Sequence, residues 1–218
     1  MLSLDSRLKT AAQLCRKGRV VADVGTDHAL LACHLAMNGA KSVIASDIRT
    51  GPLEAARRTV EQTGVSNVTV LQSDGLEQID FADDVVICGM GGELIAQIIA
   101  GCRFLSEDTR FILQPMTKAD ALRRSLYAEG FVIDEERTAY DGKRGYVIML
   151  ARYTGEKADI DELFALTGKI TDPKFLRLIA DKMLKNARGM DKSEEFSEEA
   201  KKQRQTAETI LRRAEELE

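Results

Sequence analysis

The sequence predicts a doubly wound α/β fold with a helical appendage, and three observations carry that prediction. Short apolar runs alternate with helix-period segments from residue 19 to about residue 151. The apolar runs are unbroken, as in parallel strands covered on both faces. Beyond Tyr153 the strand patterns stop and the density of charge rises. Repeated strand–helix–strand units imply right-handed crossovers, which wind helices onto both faces of one sheet.

The elements follow in order. Residues 19–24 read as the first strand, and 29–38 continue with helical period. Residues 42–46 form the second strand. Thr50 is placed as an N-cap and Pro52 in the first turn of a helix that runs toward Gly64. Residues 67–72 and 84–88 are the third and fourth strands, and 93–100, after Gly91-Gly92, are a helix. Residues 109–113 are the fifth strand and 118–129 a helix. Residues 131–135 and 144–151 are the sixth and seventh strands, joined by 138–143 with the turn-forming Asp141-Gly142. No helix separates those two. An antiparallel final pair after five strands and their connecting helices ends the class I methyltransferase (Rossmann-like) seven-stranded sheet, and not a nicotinamide-binding one. The predicted catalytic domain is 1–153.

Residues 154–218 are predicted to form a C-terminal helical coiled-coil hairpin. Asp172-Pro173 opens a helix that runs to about residue 188, with Gly189 as its C-cap. The last helix starts at Ser193 or Ser197. Phe196, Ala200, Gln203, Ala207, Ile210, Ala214 and Leu217 fall at alternating spacings of four and three, the seam of a coiled coil. That seam closes either within one chain or between two, giving a monomer or a weak homodimer.

Composition removes several functions. The chain has 31 basic and 35 acidic residues and a net charge of −4. Net charge therefore provides no attraction to nucleic acid, and RNA binding needs a local basic face. The four cysteines, at 15, 33, 88 and 102, form no Cys-x-x-Cys pair and read as buried, reduced thiols. Two histidines without metal-ligand spacing predict no metal site. No export signal and no apolar run near 18 residues occurs, so no membrane span and a cytoplasmic location are expected.

The chemistry-bearing residues cluster at strand ends. Gly25, in Ala22-Asp23-Val24-Gly25-Thr26-Asp27-His28-Ala29, lets a ligand approach the backbone at a strand-to-helix turn. A dinucleotide loop would read G-x-G-x-x-G, but here Asp27 and Ala29 replace the further glycines. An acidic loop repels a pyrophosphate and suits a sulfonium and an α-ammonium group. The competing reading makes Asp27 the N-cap of the next helix. Asp47 ends the second strand, where Rossmann-like folds bind ribose hydroxyls with a carboxylate; its other reading is a turn residue. Asp74, with Gly75, follows the third strand and could accept from an adenine amino group. Acids at three successive strand ends are the stronger signal, because ligands bind at that edge of an open sheet. Cys88-Gly89-Met90-Gly91-Gly92 after the fourth strand implies tight backbone geometry beside a ligand, or a strained turn alone. Gln114-Pro115-Met116 after the fifth strand either lines the same crevice or is a plain strand end.

These residues resemble the TrmK-type tRNA (adenine(22)-N(1))-methyltransferase family. The resemblance rests on Asp23 to Ala29, on Ser46-Asp47-Ile48, on Cys88 to Gly92 and on Leu113-Gln114-Pro115-Met116. Leu4-Asp5-Ser6-Arg7-Leu8 fits as well. It covers essentially the whole chain, with one departure: Leu30 stands where relatives carry tyrosine after Asp-His-Ala. The resemblance implies S-adenosyl-L-methionine as cofactor and methyl transfer to N1 of a tRNA adenine. It implies a cofactor set of Arg7, Asp23, Gly25, Thr26, Asp27, His28, Asp47, Ile48, Asp74, Gly75, Gly89, Met90 and Gly91. Asp27 is the first candidate for stabilising the methylated base, or for accepting its amino proton, and His28 the second. His34, on the helix body, reads as structural.

A folded tRNA must present an unstacked adenine and be held by its phosphates. At 100° per residue, Lys174, Arg177, Lys182, Lys185 and Arg188 share one arc of the predicted helix, with Phe175, Ile179 and Met183 opposite. The plain alternative is a solvated face. The competing functions are a small-molecule methyltransferase, for which no lid-length insertion is present, and a non-catalytic cofactor- or RNA-binding scaffold.

Overall fold

The computed structural model describes residues 3–190 and 197–218. The chain divides into two compact units, one ending at Asp159 and the other starting at Ile160. Residues 154–158 are tied to the first unit by backbone: the amides of Thr154 and Gly155 donate to the Gly130 carbonyl, and that of Ala158 to Tyr127.

The first unit is a seven-stranded sheet in the order β3-β2-β1-β4-β5-β7-β6. Its strands are β1 (Val20–Val24), β2 (Ser42–Asp47), β3 (Val68–Gln72), β4 (Asp84–Gly91), β5 (Arg110–Thr117), β6 (Phe131–Asp141) and β7 (Arg144–Tyr153). The first five run parallel, and β7 inserts antiparallel between β5 and β6. The helices are α1 (Ser6–Leu14), α2 (Leu30–Met37), α3 (Thr50–Thr63), α4 (Gly92–Ala100) and α5 (Ala119–Ala128). Val21, Val43, Val85, Val86, Ile87, Ile112 and Leu113 are buried, as two-sided burial of an apolar strand requires.

Helix α1 is absent from the sequence expectation, although its signal is present. Leu4, Leu8, Ala11 and Cys15 recur at helical spacing, and Asp5 caps the helix by accepting the Leu8 amide at 2.9 Å. Bonds from Ser6 and Arg16 hold the segment against the sheet. Ser6 Oγ donates to the Tyr140 carbonyl at 2.6 Å. The Arg16 amide and Nε donate to the fully buried Asp84 carboxylate at 2.7 and 2.9 Å.

Several boundaries differ from expectation. Arg49, not Thr50, is the N-cap of α3, and it caps without a side-chain bond. Strand β4 continues through Gly91 by way of two register irregularities, at Cys88/Met90 and Met90/Gly91. Strand β6 runs to Asp141, so the expected six-residue connection shrinks to Gly142-Lys143. A bulge between Ile133 and Glu135 shifts the alternation of β6 by one residue. All four cysteines are free, but only Cys33 is buried; the other three are partly exposed.

The second unit contains α6 (Glu162–Thr167), α7 (Pro173–Met190) and α8 (Ser197–Glu216). Helix α7 runs through Gly189, which therefore is not a cap. Helix α8 starts at Ser197; Ser193 and Phe196 lie outside the described residues. The two long helices pack antiparallel within one chain, with Arg177 near the start of α7 donating to Glu218 just after α8. The buried stripe of α7 is Leu176, Ala180 and Ala187, flanked by the half-buried Phe175, Ile179 and Met183. It meets Ala200, Ala207, Ile210 and Ala214 of α8, and the three alanines let the helix axes approach closely. Gln203, the polar seam member, keeps a buried Oε1 with no partner among the described residues. Arg213 Nη1 ties α8 to Thr167 Oγ1 at 2.8 Å. Among the described residues no helix is long and apolar enough to cross a membrane.

Candidate active site

A cavity of about 520 Å³ opens at the carboxyl ends of β1, β2 and β4, covered by the N-terminal segment. Ser3, Leu4, Asp5, Arg7 and Leu8 line it from that segment. Asp23, Gly25, Thr26, Asp27, His28, Leu30 and Leu31 line it from the β1–α2 region, Asp47 and Arg49 from β2, and Cys88, Gly89 and Met90 from β4. Four carboxylates thus face two guanidinium groups and one imidazole. Ile48, Asp74, Gly75 and Gly91 of the expected cofactor set are not among the lining residues. Asp74 and Ile48 are exposed just past β3 and β2. Gly91 closes β4, and Gly75 packs on the Ile98 side chain.

The β1–α2 loop explains the missing glycines. Gly25, Asp27 and Ala29 have φ of +76°, +49° and +52°. The loop therefore keeps a glycine-type path although two of the three positions are not glycine. Aspartate tolerates that region better than alanine, and each position stores local strain. The amides of Gly25 and Thr26 both donate to the Ser46 carbonyl, at 2.8 and 2.9 Å, which holds the turn onto β2. The N-cap of α2 is Ala29, with no side-chain bond, so Asp27 is not a helix cap. Its carboxylate is 69% exposed and lies 3.7 Å from His28 Nε2. Across the cavity, the Met90 methyl covers Gly25 so closely that a Cβ there would lie 2.1 Å from it.

Asp23 is the most perturbed acid. It is buried, and Thr26 Oγ1 donates to it at 2.6 Å. Burial pushes its pKa up from 3.8 to about 6, with the Thr26 hydroxyl and the Ala32 amide opposing part of the shift. Because the folded value lies above the unfolded one, the folded protein holds a proton that the unfolded chain has released between those limits. This contribution to stability is complete below about pH 4 and is lost as pH rises through about 6. Above that, the ionised buried carboxylate costs on the order of 3 kcal/mol. Asp23→Asn is therefore expected to raise the melting temperature of the ligand-free protein at pH 7.5 and to flatten its rise toward pH 5. Thermal melts across that range check this; an unchanged profile would remove Asp23 as its source.

Asp47, the last residue of β2, is nearly buried, and its Oδ1 accepts the Arg49 amide at 2.9 Å. It is more than a turn residue, because the carboxylate also lines the cavity. Gln114, Pro115 and Met116 do not line it. Gln114 is fully buried behind it, bonded to Arg7 and to the Gly89 amide. On α7, Lys174, Lys182, Lys185 and Arg188 are exposed, whereas Arg177 is half-buried and donates to Glu218 Oε1 at 2.6 Å. The sequence did not single out Leu4, Asp5, Leu31 or Arg49 as site residues. The first two become legible once α1 is seen to lie over the cavity.

Residues 4–149 match the family described as a methyltransferase domain. The tRNA (adenine(22)-N(1))-methyltransferase of Bacillus subtilis strain 168 is 40% identical over 178 residues, covering 79% of this chain and 74% of that protein. The chain belongs to the tRNA (adenine(22)-N(1))-methyltransferase family. The crystal structure of the B. subtilis M1A22 tRNA methyltransferase TrmK matches this member at TM-score 0.76 and 30% identity, covering 100% and 99% of the two chains. A Streptococcus pneumoniae protein of the family, crystallised with S-adenosyl-L-methionine, matches at TM-score 0.80 and 28% identity, covering 95% and 100%. The glycine-type β1–α2 path and the acid-lined cavity of this member suit that cofactor. They turn the chain sharply at the end of β1 and put negative charge around a ligand bearing a sulfonium and an ammonium.

Proposed function

We propose that this chain methylates N1 of an adenine in tRNA, with S-adenosylmethionine as donor, and that the adenine is the one at position 22. The observation that supports it best is the cavity: a carboxylate-lined space at the carboxyl edge of an open sheet, in a chain 40% identical to a methyltransferase of that name. Asp47 is suited to vicinal ribose hydroxyls, and Asp23 and Thr26 to the ammonium end. Gly25 and Gly89 make room for the Met90 methyl and the Arg7 guanidinium, two groups that line the cavity. Bound, the cofactor supplies an electrophilic methyl group.

The protein's own part is mainly placement. N1 of adenine is unprotonated near neutral pH, so its lone pair needs no base. What it needs is alignment at a separation of about 3 Å. The ring becomes cationic, and Asp27, exposed at the mouth, sets a carboxylate where that charge develops. His28 beside it can orient Asp27. With methyl-labelled cofactor and unmodified tRNA, digestion is expected to yield labelled 1-methyladenosine. Label found only in a small metabolite, or nowhere, overturns the reading.

The helical unit supplies the grip on RNA. Lys182, Lys185 and Arg188 lie on one exposed face of α7 and would neutralise phosphates. The slope of log affinity for tRNA against log salt is expected to flatten by about 0.7 to 0.9 for each contact removed by Lys185→Ala and Arg188→Ala. An unchanged slope would leave that face simply solvated.

A further inference from the structure

The acids of the cavity answer the positive groups of the proposed cofactor, but its α-carboxylate needs a fixed cation. We propose that Gln114 is the positioning residue that holds Arg7 as the receptor for that carboxylate. The inference deepens the function proposed above and rests on it.

Arg7 is clamped from two sides. Its Nε meets Asp5 Oδ2 at 3.0 Å, and its Nη1 donates to Gln114 Oε1 at 2.9 Å. Among the described residues Nη2 has no acceptor, and Arg7 lines the cavity. Asp5 alone would be a weak clamp, because it is 41% exposed and a solvated ion pair is worth little. Gln114 is different. It is fully buried, and its Nε2 donates to the Pro115 carbonyl at 2.9 Å. That bond aims Oε1 at two donors, Arg7 Nη1 and the Gly89 amide at 3.1 Å. The flipped amide would set an NH₂ group against both donors, so the chemistry permits one orientation.

One side chain thus joins α1, the irregular end of β4 and β5. Gly89 contributes space: with φ at +85°, a Cβ there would lie 3.2 Å from Arg7 Nη1, so the guanidinium rests against bare backbone. The other lining guanidinium, Arg49, is 74% exposed and sits 3.6 Å from Asp47, the acid suited to ribose. It belongs to the other end of the cavity. Arg7 is the cation whose position is set by the interior of the protein.

The test is calorimetric binding of two ligands. One is S-adenosylhomocysteine; the other is its decarboxylated analogue, which keeps the adenosine, thioether and amine. Wild type is expected to prefer the first at least about tenfold, the range of a charge-assisted bond. Gln114→Leu is expected to abolish most of that preference by weakening only S-adenosylhomocysteine, with no further loss when Arg7→Leu is added. Gln114→Glu keeps the acceptor but saturates the guanidinium, and is expected to lose the preference with Arg7 still held, should the leucine variant not fold. Equal weakening of both ligands means that Gln114 acts only in packing, and a preserved preference means that it does not act through Arg7; either overturns the inference. A wild type that binds both equally overturns the role of Arg7. A wild type that binds neither instead overturns the function proposed above.

Discussion

Asp27→Ala is expected to lower turnover about 100- to 1,000-fold, the range for removing one group aimed at developing charge. The affinity for S-adenosylhomocysteine should change far less. Two structural facts separate those quantities. Asp27 is exposed at the cavity mouth and is not needed as a helix cap. Cofactor recognition has other carboxylates to rely on, Asp23 and Asp47, both nearly buried on neighbouring strands. Alanine confounds charge with backbone, because residue 27 has φ of +49°. Asparagine tolerates that region and keeps the shape, so Asp27→Asn isolates the charge. Single-turnover rates, set beside calorimetric binding, check the split. If binding falls in step with turnover in the asparagine variant, Asp27 is a cofactor ligand and not a partner of the base.

The strand ends were legible because they are governed by local composition. An apolar run followed by Asp or Gly marks where a buried strand meets a ligand-bearing edge, and Asp23, Gly25, Asp47 and Gly89 all line one cavity. The doubly wound sheet and its antiparallel final pair were legible from the repeat of strand and helix and from the missing helix between the last two strands. What escaped depended on partners distant in sequence. Helix α1 is short, and its value lies in what it covers: Ser6 reaches Tyr140, and Arg7 reaches Gln114. Gln114 could be read as lining the crevice or as a plain strand end, because nothing near it in sequence shows that its oxygen serves residues 89 and 7. The left-handed path of Asp27 and Ala29 was invisible because the loop has lost the glycines that announce such a path. Asp74 and Ile48 stand exposed at the expected strand ends and are not among the residues that line the cavity.

Arg123→Leu is expected to cost roughly 3–5 kcal/mol, the penalty for removing one member of a buried ion pair. In a protein of this size that lowers the melting temperature on the order of 10 °C. Arg123 on α5 and Glu136 on β6 have side chains 1% and 0% exposed, with Nε and Nη2 at 2.9 and 2.8 Å from the same Oε1. The bulge between Ile133 and Glu135 creates the pair. It shifts the alternation of β6 by one residue, which puts Glu136 on the face that carries Phe131 and Ile133, under α5. In an unbulged strand that glutamate would face the other way. Removing the guanidinium leaves the carboxylate in a space that water does not reach. Replacing both residues, Arg123→Leu with Glu136→Leu, removes both buried charges and is expected to recover most of the loss, because apolar packing competes well with a buried pair. Thermal melts of the two single variants and the double variant form the cycle. A single variant that melts within about 2 °C of wild type, a shift worth no more than about 1 kcal/mol, would mean that the pair gives the catalytic unit no stability. A double variant no better than the singles would mean that the bulge needs the charges themselves to hold its register.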